Sequence, residues 1–368
     1  MKVTGVDVWP VTIPFTEPFE VWRGVAPAKH HVIVEVHTDE GITGIGEASP
    51  FLYYGAETQH DVVAMVRHHL EPIVVGTDPF DVEALNQTFD TVIDGHRFSK
   101  AAIEMALWDI QGRVLGVALH RLLGGRVRQG VPVVGLLLRH DASGAADEAR
   151  TLVGRGFEHL KIKVGFGRRS DVAVVRAVRE AVGDEVSIRV DAEESYDLKT
   201  ALRVAHALDE LDVELFSQPV SRHLHEHMQQ LRRTSNIPVL LDECIDLPED
   251  VSHAAHLGTG DAINVKLMKC GGIVKARRMF AIAQAAGMGV VVGSMIESGP
   301  GTACGAHLAV AHTAVVHPCE LVGPTLLAED VLVESTRISG GQLDPGDAPG
   351  LGIELDRDQL SRLRSDDA

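Results

Sequence analysis

No apolar run in this chain reaches the roughly 18 residues that span a bilayer. The stretch Met1 to Val11 alternates like a strand and lacks the charged-then-apolar pattern of a secretory leader. These two absences predict a cytoplasmic protein with no membrane segment. Cysteine is scarce: Cys244, Cys270, Cys304 and Cys319 are scattered with no CxxC pair, which points to reduced thiols. Basic residues are outnumbered, 34 to 52, and the resulting net charge of −18 argues against nucleic acid or an anionic membrane as partner. The glycine spacing of a dinucleotide fingerprint is missing at both Gly41 to Gly46 and Gly165-Phe-Gly167. Low-complexity segments and long linkers are absent too.

What remains is a globular chain of 368 residues with 45% hydrophobic content, too long for one ordinary core. The first part reads as α+β. Val3–Thr12, His31–Thr38 and Ile42–Glu47 have strand patterns, with a turn at Asp39-Glu40-Gly41. Thr58–Leu70, Asp81–Ile93 and Ser99–Leu115 have helical ones, with Ser99 as the expected N-cap of the last. Gly124-Gly125 is expected to mark the end of that helical region and a boundary near residue 128.

Beyond it, short β-rich runs alternate with helical segments such as Asp171–Val182, Leu198–Leu211 and Val274–Ala286. The runs are Val131–Leu138, His159–Val164, Ser187–Ala192, Val213–Pro219, Pro238–Glu243, Ala262–Lys269, Gly289–Met295 and Cys319–Gly323. The alternation predicts an α/β fold, a modified TIM (β/α)7–8 barrel, with its active site at the C-terminal ends of the strands. The expected division is an α+β capping domain over 1–128, completed by 325–368, and a barrel over 129–324.

Charged residues fall where those strands should end: Lys161 and Lys163, Asp191, Asp242 with Glu243, and Lys266. Lys161 and Lys163 share a strand face and point together into the mouth. A buried lysine beside another cation is expected to have a lowered pKa and to serve as a base. Asp191 and Asp242 end apolar strands, so they must pair with lysines or hold a hard cation. Gly271-Gly272 after Lys266 is expected to let the backbone pass close to a ligand.

At these residues the chain resembles the enolase superfamily, and within it the muconate lactonizing enzyme subgroup. The resemblance runs through Gly44-Ile-Gly-Glu-Ala48, Ala101-Ala-Ile-Glu-Met-Ala-Leu-Trp-Asp109, Leu122-Leu-Gly-Gly-Arg-Val-Arg128, Lys161-Ile-Lys163 and Val190-Asp-Ala192. It continues through Gln218-Pro219, Asp242-Glu243, Lys266 with Gly271-Gly272, Gly293-Ser-Met-Ile-Glu297 and Glu320-Leu-Val-Gly-Pro324. It implies a Mg²⁺-dependent enzyme, with Mn²⁺ as an alternative ion, that works through an enolate next to a carboxylate. By position it makes Lys163 and Lys266 the acid/base catalysts and Lys161 the residue that tunes Lys163. Asp191 and Asp242 become metal ligands and Glu243 their support, while Glu297 becomes a substrate contact.

One position departs from the pattern. The family usually has Glu-Gln-Pro at the end of the fourth strand, and this chain has Ser217-Gln218-Pro219, which removes a charged metal ligand. Glu214, three residues away, points to the other strand face. Glu193 stands where relatives commonly have Asn and shares a face with Asp191, so Glu193 is expected to restore the third carboxylate; the alternatives are a weaker site completed by water and a site that has lost its metal. Ser217 is left to the substrate side.

Specificity in the family comes from first-domain loops, here Phe15–His31 and Phe51–Glu57. Trp22, Arg23, Tyr53 and Tyr54 are the expected substrate contacts, with Arg23 able to bind a second carboxylate. Two other signals carry less. Ser221-Arg-His-Leu-His-Glu-His227 is read as a surface helix rather than a zinc site, and Cys244 and Cys270 as packing. The expected function is isomerisation of a small carboxylate, first a muconate-like cycloisomerisation. Alternatives are a racemase or epimerase of N-substituted amino acids or dipeptides, a dehydratase or other lyase, and a non-catalytic binding protein with a degraded metal site. The resemblance also implies a homo-oligomer.

Overall fold

The computed structural model describes residues 1–21, 24–52, 55, 57–336 and 338–365. An antiparallel sheet opens the chain in the order β1 (Val3–Val21), β2 (Gly24–Thr38), β3 (Thr43–Ala48). Val11, Ile13 and Phe15 alternate inward while Pro14 and Thr16 face out, so β1 continues well past Thr12. The segment expected as a covering loop is therefore a hairpin arm, with Phe19 paired to Ala26.

The helix Arg97–Leu115 lies directly on β3. A Cβ at Gly46 would meet the Ala102 carbonyl oxygen at 1.9 Å, so only glycine permits this approach. This helix begins two residues before the predicted cap. His96 precedes it, and Ser99 lies inside it, donating its hydroxyl to Glu57. The Glu57 carboxylate also accepts the N–H groups of Phe98 and Ser99 at 2.8 and 3.2 Å, so a side chain from the preceding loop does the capping. The helix ends at Leu115, as predicted, with Gly116 in the left-handed conformation, and a short helix, Leu119–Leu122, follows before Gly124-Gly125.

Seven parallel strands then form one curled sheet. They are β5 (Gly135–Leu137), β6 (His159–Lys163), β7 (Ser187–Asp191), β8 (Val213–Ser217), β9 (Val239–Leu241), β10 (Ala262–Lys266) and β11 (Gly289–Gly293), neighbours in chain order. The predicted run Val131–Leu138 is split. Its first residues form β4 (Val131–Pro132), which pairs with β13 (Gln342–Leu343) beside β12 (Ile338–Ser339). The predicted eighth strand at Cys319–Gly323 forms no ladder. It joins through the Val133–Cys319 bridge and the Glu320 N–H to Val292 carbonyl bond of 2.9 Å, which bring it between β11 and the β4–β5 segment.

Helices Arg168–Val182, Leu198–Asp209 and Ile273–Ala285 pack outside, near their predicted bounds. After Pro324 the chain returns to β1: Ala328 N–H bonds Pro14 O and Ser365 N–H bonds Pro10 O, each at 2.9 Å. No helix among the described residues is long and apolar enough to cross a membrane.

Candidate active site

The register of the parallel sheet sets Lys163, Asp191 and Ser217 side by side, with Ser217 next to Leu240, and Lys266 beside Gly293. Strand ends thus share one level, and β6 and β10 stand across the mouth with three strands between them. The mouth opens into a narrow cleft at this level. Its charged wall is Lys161, Lys163, Asp191, Glu193, Asp242, Glu243, Lys266 and Glu320. The rest of the lining is mainly apolar, with Phe19 and Phe51 from the first part of the chain and Leu136, Ile296 and Val322 from the barrel.

Each lysine is tied to carboxylates. Lys161 Nζ lies 2.8 Å from Asp191 Oδ2 and 2.6 Å from Glu320 Oε2. Lys163 Nζ meets the same Asp191 oxygen at 2.8 Å and also bonds Glu193. Lys266 Nζ lies 2.8 Å from Asp242 Oδ2. Burial by itself would push Asp191 up, but Lys161 and Lys163 outweigh it and hold Asp191 well below the usual carboxylate range. Asp242 is likewise held down, since Lys266 and Lys269 overcome its burial. Glu243 goes the other way, raised by burial and by the neighbouring charges of Asp242 and Asp191.

Lys266 is set by its acids: burial would lower its pKa, but Asp242, Glu243 and Glu320 prevail and raise it, so it rests as an ammonium.

The structure brings six of the predicted side chains together in the cleft wall besides Lys161: Lys163, Lys266, Asp191, Asp242, Glu193 and Glu243. It does not bring two others. Glu297 folds back on its own loop, where both carboxylate oxygens accept the Met295 N–H at 3.0 and 2.9 Å, and it lines no part of the cleft. Ser217 is fully buried below the cleft, with no partner for its hydroxyl among the described residues. Trp22, Arg23, Tyr53 and Tyr54 lie outside the described residues. Gly272 makes a close approach to the Glu104 side chain of the Arg97–Leu115 helix, where a Cβ would meet Oε2 at 1.9 Å.

Four supporting residues have no role in the sequence reading. Asn264 Nδ2 donates to Asp242 Oδ2 and Glu320 Oε2, both at 2.9 Å. Arg189 reaches Pro318 O at 3.1 Å and Glu320 Oε1 at 3.4 Å. Lys269 Nζ bonds the Asp242 carbonyl at 2.7 Å. Asn264 and Arg189 sit two residues before Lys266 and Asp191, so strand periodicity could have found them. Glu320, the fourth, opens a motif of the resemblance, which gave it no task.

Among the described residues no three His, Cys, Asp or Glu side chains converge into a formed metal cage. The donor set still fits a hard divalent cation. It is all oxygen, it sets five acidic side chains against three lysines, and Glu243 Oε2 is buried without a partner among the described residues. An anionic substrate entering so acidic a cleft needs added positive charge. The His223-to-His227 segment shows nothing comparable: His225 starts the helix His225–Thr234 and packs edge-on to His253.

A curled parallel sheet with lysines and acids at its C-terminal rim defines a barrel enzyme, and comparison with known proteins specifies which. Residues 3–124 match the mandelate racemase / muconate lactonizing enzyme N-terminal domain, and residues 144–359 match the enolase C-terminal domain-like family. The chain is 31% identical to N-succinyl-L-Arg/Lys racemase of Bacillus cereus over 99% of its length and 98% of the relative's. Muconate lactonizing enzyme from Pseudomonas fluorescens, solved with muconolactone, superposes with a TM-score of 0.96 at 33% identity, covering 99% of both chains. The dipeptide epimerase of Enterococcus faecalis, solved with Mg and L-Leu-L-Tyr, gives 0.93 at 32% identity, covering 96% of this chain and 100% of the other. The chain belongs to the enolase superfamily, in its muconate lactonizing enzyme subgroup. It is accordingly an isomerase.

Proposed function

We propose that this isomerase works on a small carboxylate through an enolate, and that Lys163 and Lys266 carry the protons. The supporting observation is that these two ammonium groups stand on β6 and β10, across one cleft, each held by an acid at the strand end between them. Lys161 shares Asp191 with Lys163 and supplies a second positive charge beside it. Asp191, Asp242 and Glu193 would hold a Mg²⁺ ion, with Glu243 behind them. That ion would supply the positive charge an enolate needs on its two carboxylate oxygens. The apolar wall of Phe19, Phe51, Leu136, Ile296 and Val322 keeps water from the reacting carbon.

The leading substrate is a muconate-like diacid. One carboxylate adds to the conjugated double bond, a C–O bond forms, and the electron pair moves toward the other carboxylate as an enolate. A lysine ammonium then protonates the α-carbon, a step we assign to Lys163. Racemisation of an N-substituted amino acid is the second reading, supported by the two-sided placement of Lys163 and Lys266, because inversion needs a proton removed on one face and returned on the other.

Incubation in D₂O with Mg²⁺ and a panel of muconolactone, N-succinyl amino acids and dipeptides tests both. Deuterium is expected at the carbon next to the carboxylate, and its incorporation should be lost in Lys163→Ala. Cycloisomerisation leaves one configuration at that carbon, whereas racemisation yields both and stops in Lys266→Ala. No exchange into any carboxylate would defeat the proposal.

A further inference from the structure

β7 stops at Asp191, so Glu193 does not reach the cleft by continuing the strand. Extended backbone would carry it about 6–7 Å beyond Asp191, out of the mouth. Instead Glu193 and Glu194 both take the left-handed conformation, with φ of 46° and 68°. Two consecutive non-glycine residues there are strained and persist only when their surroundings impose them. The turn folds Glu193 back over the strand end, its N–H 3.2 Å from Asp191 Oδ1 and its carboxylate on Lys163.

What imposes the turn lies on the neighbouring strand end. Arg222, after β8, grips Glu194 with both its main chain and its guanidinium. Its N–H donates to Glu194 Oε1 at 2.6 Å, Nε to Oε1 at 3.0 Å and Nη2 to Oε2 at 2.8 Å. Backbone bonds from Glu194 N to Gln218 O at 2.8 Å and from Tyr196 N to Pro219 O at 3.1 Å stitch the same two loops. The bidentate pair adds a side-chain grip to these main-chain bonds, and its rigid fork fixes direction as well as distance.

We propose that Arg222, through Glu194, is a positioning residue that aims Glu193 into the cleft and thereby sets divalent-cation affinity. The inference rests on the reading of Glu193 as a cation ligand. Mn²⁺ titration of the chelator-stripped full chain, followed by electron paramagnetic resonance alongside thermal unfolding, tests it. Arg222→Gln and Glu194→Gln should each weaken Mn²⁺ by about 10-fold and alter the bound-ion spectrum, as loss of a ligand's support does. Arg222→Lys should fall between, and Glu193→Gln should weaken the ion further than any of them.

If Arg222→Gln and Glu194→Gln lower the unfolding temperature but leave affinity and spectrum unchanged, the latch is only structural and the inference fails. Should Glu193→Gln bind like the wild type, Glu193 is no ligand and there is nothing for Arg222 to aim. Absence of Mn²⁺ binding by the wild type would overturn the cation reading under Proposed function as well, which separates the two failures.

Discussion

Two sets of buried acids occupy this molecule, and they differ in who satisfies them. At the seam between the opening sheet and the barrel, main-chain amides are prominent among the partners, beside His31 at Glu47 and Arg113 at Asp109. Glu47 accepts Ser298 N–H and Gly301 N–H, both at 2.8 Å, and pairs with His31 at 2.7 Å. It thereby caps the barrel helix Gly299–Val310 from the other side of the seam. Asp109 accepts Ile45 N–H at 2.9 Å and Leu351 N–H at 2.7 Å, tying the C-terminal return to the Arg97–Leu115 helix. At the mouth, Asp191 and Asp242 are held chiefly by lysine ammonium groups. An amide in a packed backbone cannot leave, whereas an ammonium on a four-carbon stem can turn aside for a cation or a substrate. Burial of charge does not by itself mark function; exchangeable partners do.

The sharpest test removes one exchangeable partner. Lys163→Ala is expected to cut deuterium exchange by about 10²–10⁴-fold, the range for a lost acid/base group. It also leaves Asp191 and Glu193 short of a counter-charge, costing about 3 kcal/mol in urea unfolding. Saturating Mg²⁺ should recover part of that loss by binding the folded form. Recovery of nothing would mean that the mouth acids are as fixed as those at the seam, and the contrast would collapse.

Glu104, at the seam, is expected to give the next largest effect. Burial pushes it up to about 7, although it accepts Val274 N–H and Trp108 Nε1–H, both at 2.9 Å. The folded state keeps this proton after the unfolded chain has lost it, so wild-type stability falls as pH rises from about 4.5 to 7. Glu104→Gln should remove that decline, leaving the variant about 3 kcal/mol better placed at pH 8 than at pH 4, relative to wild type. Parallel pH profiles for the two proteins would refute the assignment.

Glu47→Gln gives the opposite sign within the same seam, with an expected cost of about 2–3 kcal/mol that Mg²⁺ does not restore. Burial would raise the Glu47 carboxyl, but the His31 bond and the two backbone amides prevail and lower it. Its contribution is therefore present above the ordinary carboxylate range and fades as pH falls through the lowered value. The deficit of the variant in urea midpoint should accordingly be large at pH 7 and shrink toward pH 3.

How far these sites are legible in the sequence follows from which forces place them. Lys161, Lys163, Asp191 and Lys266 are readable because each sits on or ends a regular strand, where period 2 and the parallel register fix direction. Asn264 and Arg189 obey the same rule and are legible in principle. Glu193 lines the cleft as expected but for a different reason: the strand ends at Asp191, and a left-handed turn delivers the side chain. That turn is held by Arg222, whose bond to Glu194 spans 28 positions of the chain, and no local pattern announces it. Glu297 is misread for a similar cause, because loop backbone at Ile296, with φ of 60°, turns its carboxylate onto the Met295 amide.

The smallest expected effect falls on Ser217. It stands in register between Asp191 and Leu240, wholly buried, and its hydroxyl has no hydrogen-bond partner among the described residues. A buried hydroxyl without a partner costs the folded state its lost hydration. Ser217→Ala should therefore leave stability unchanged or raise it by up to about 1 kcal/mol in urea unfolding. Mn²⁺ affinity and deuterium exchange should match the wild type, in contrast to Glu193→Gln. These two variants form the decisive pair, because both positions lie at neighbouring strand ends yet only Glu193 lines the cleft. If Ser217→Ala weakens the ion as much as Glu193→Gln does, the hydroxyl reaches the cation after all. The boundary between fixed and exchangeable groups would then run one residue deeper than the cleft wall.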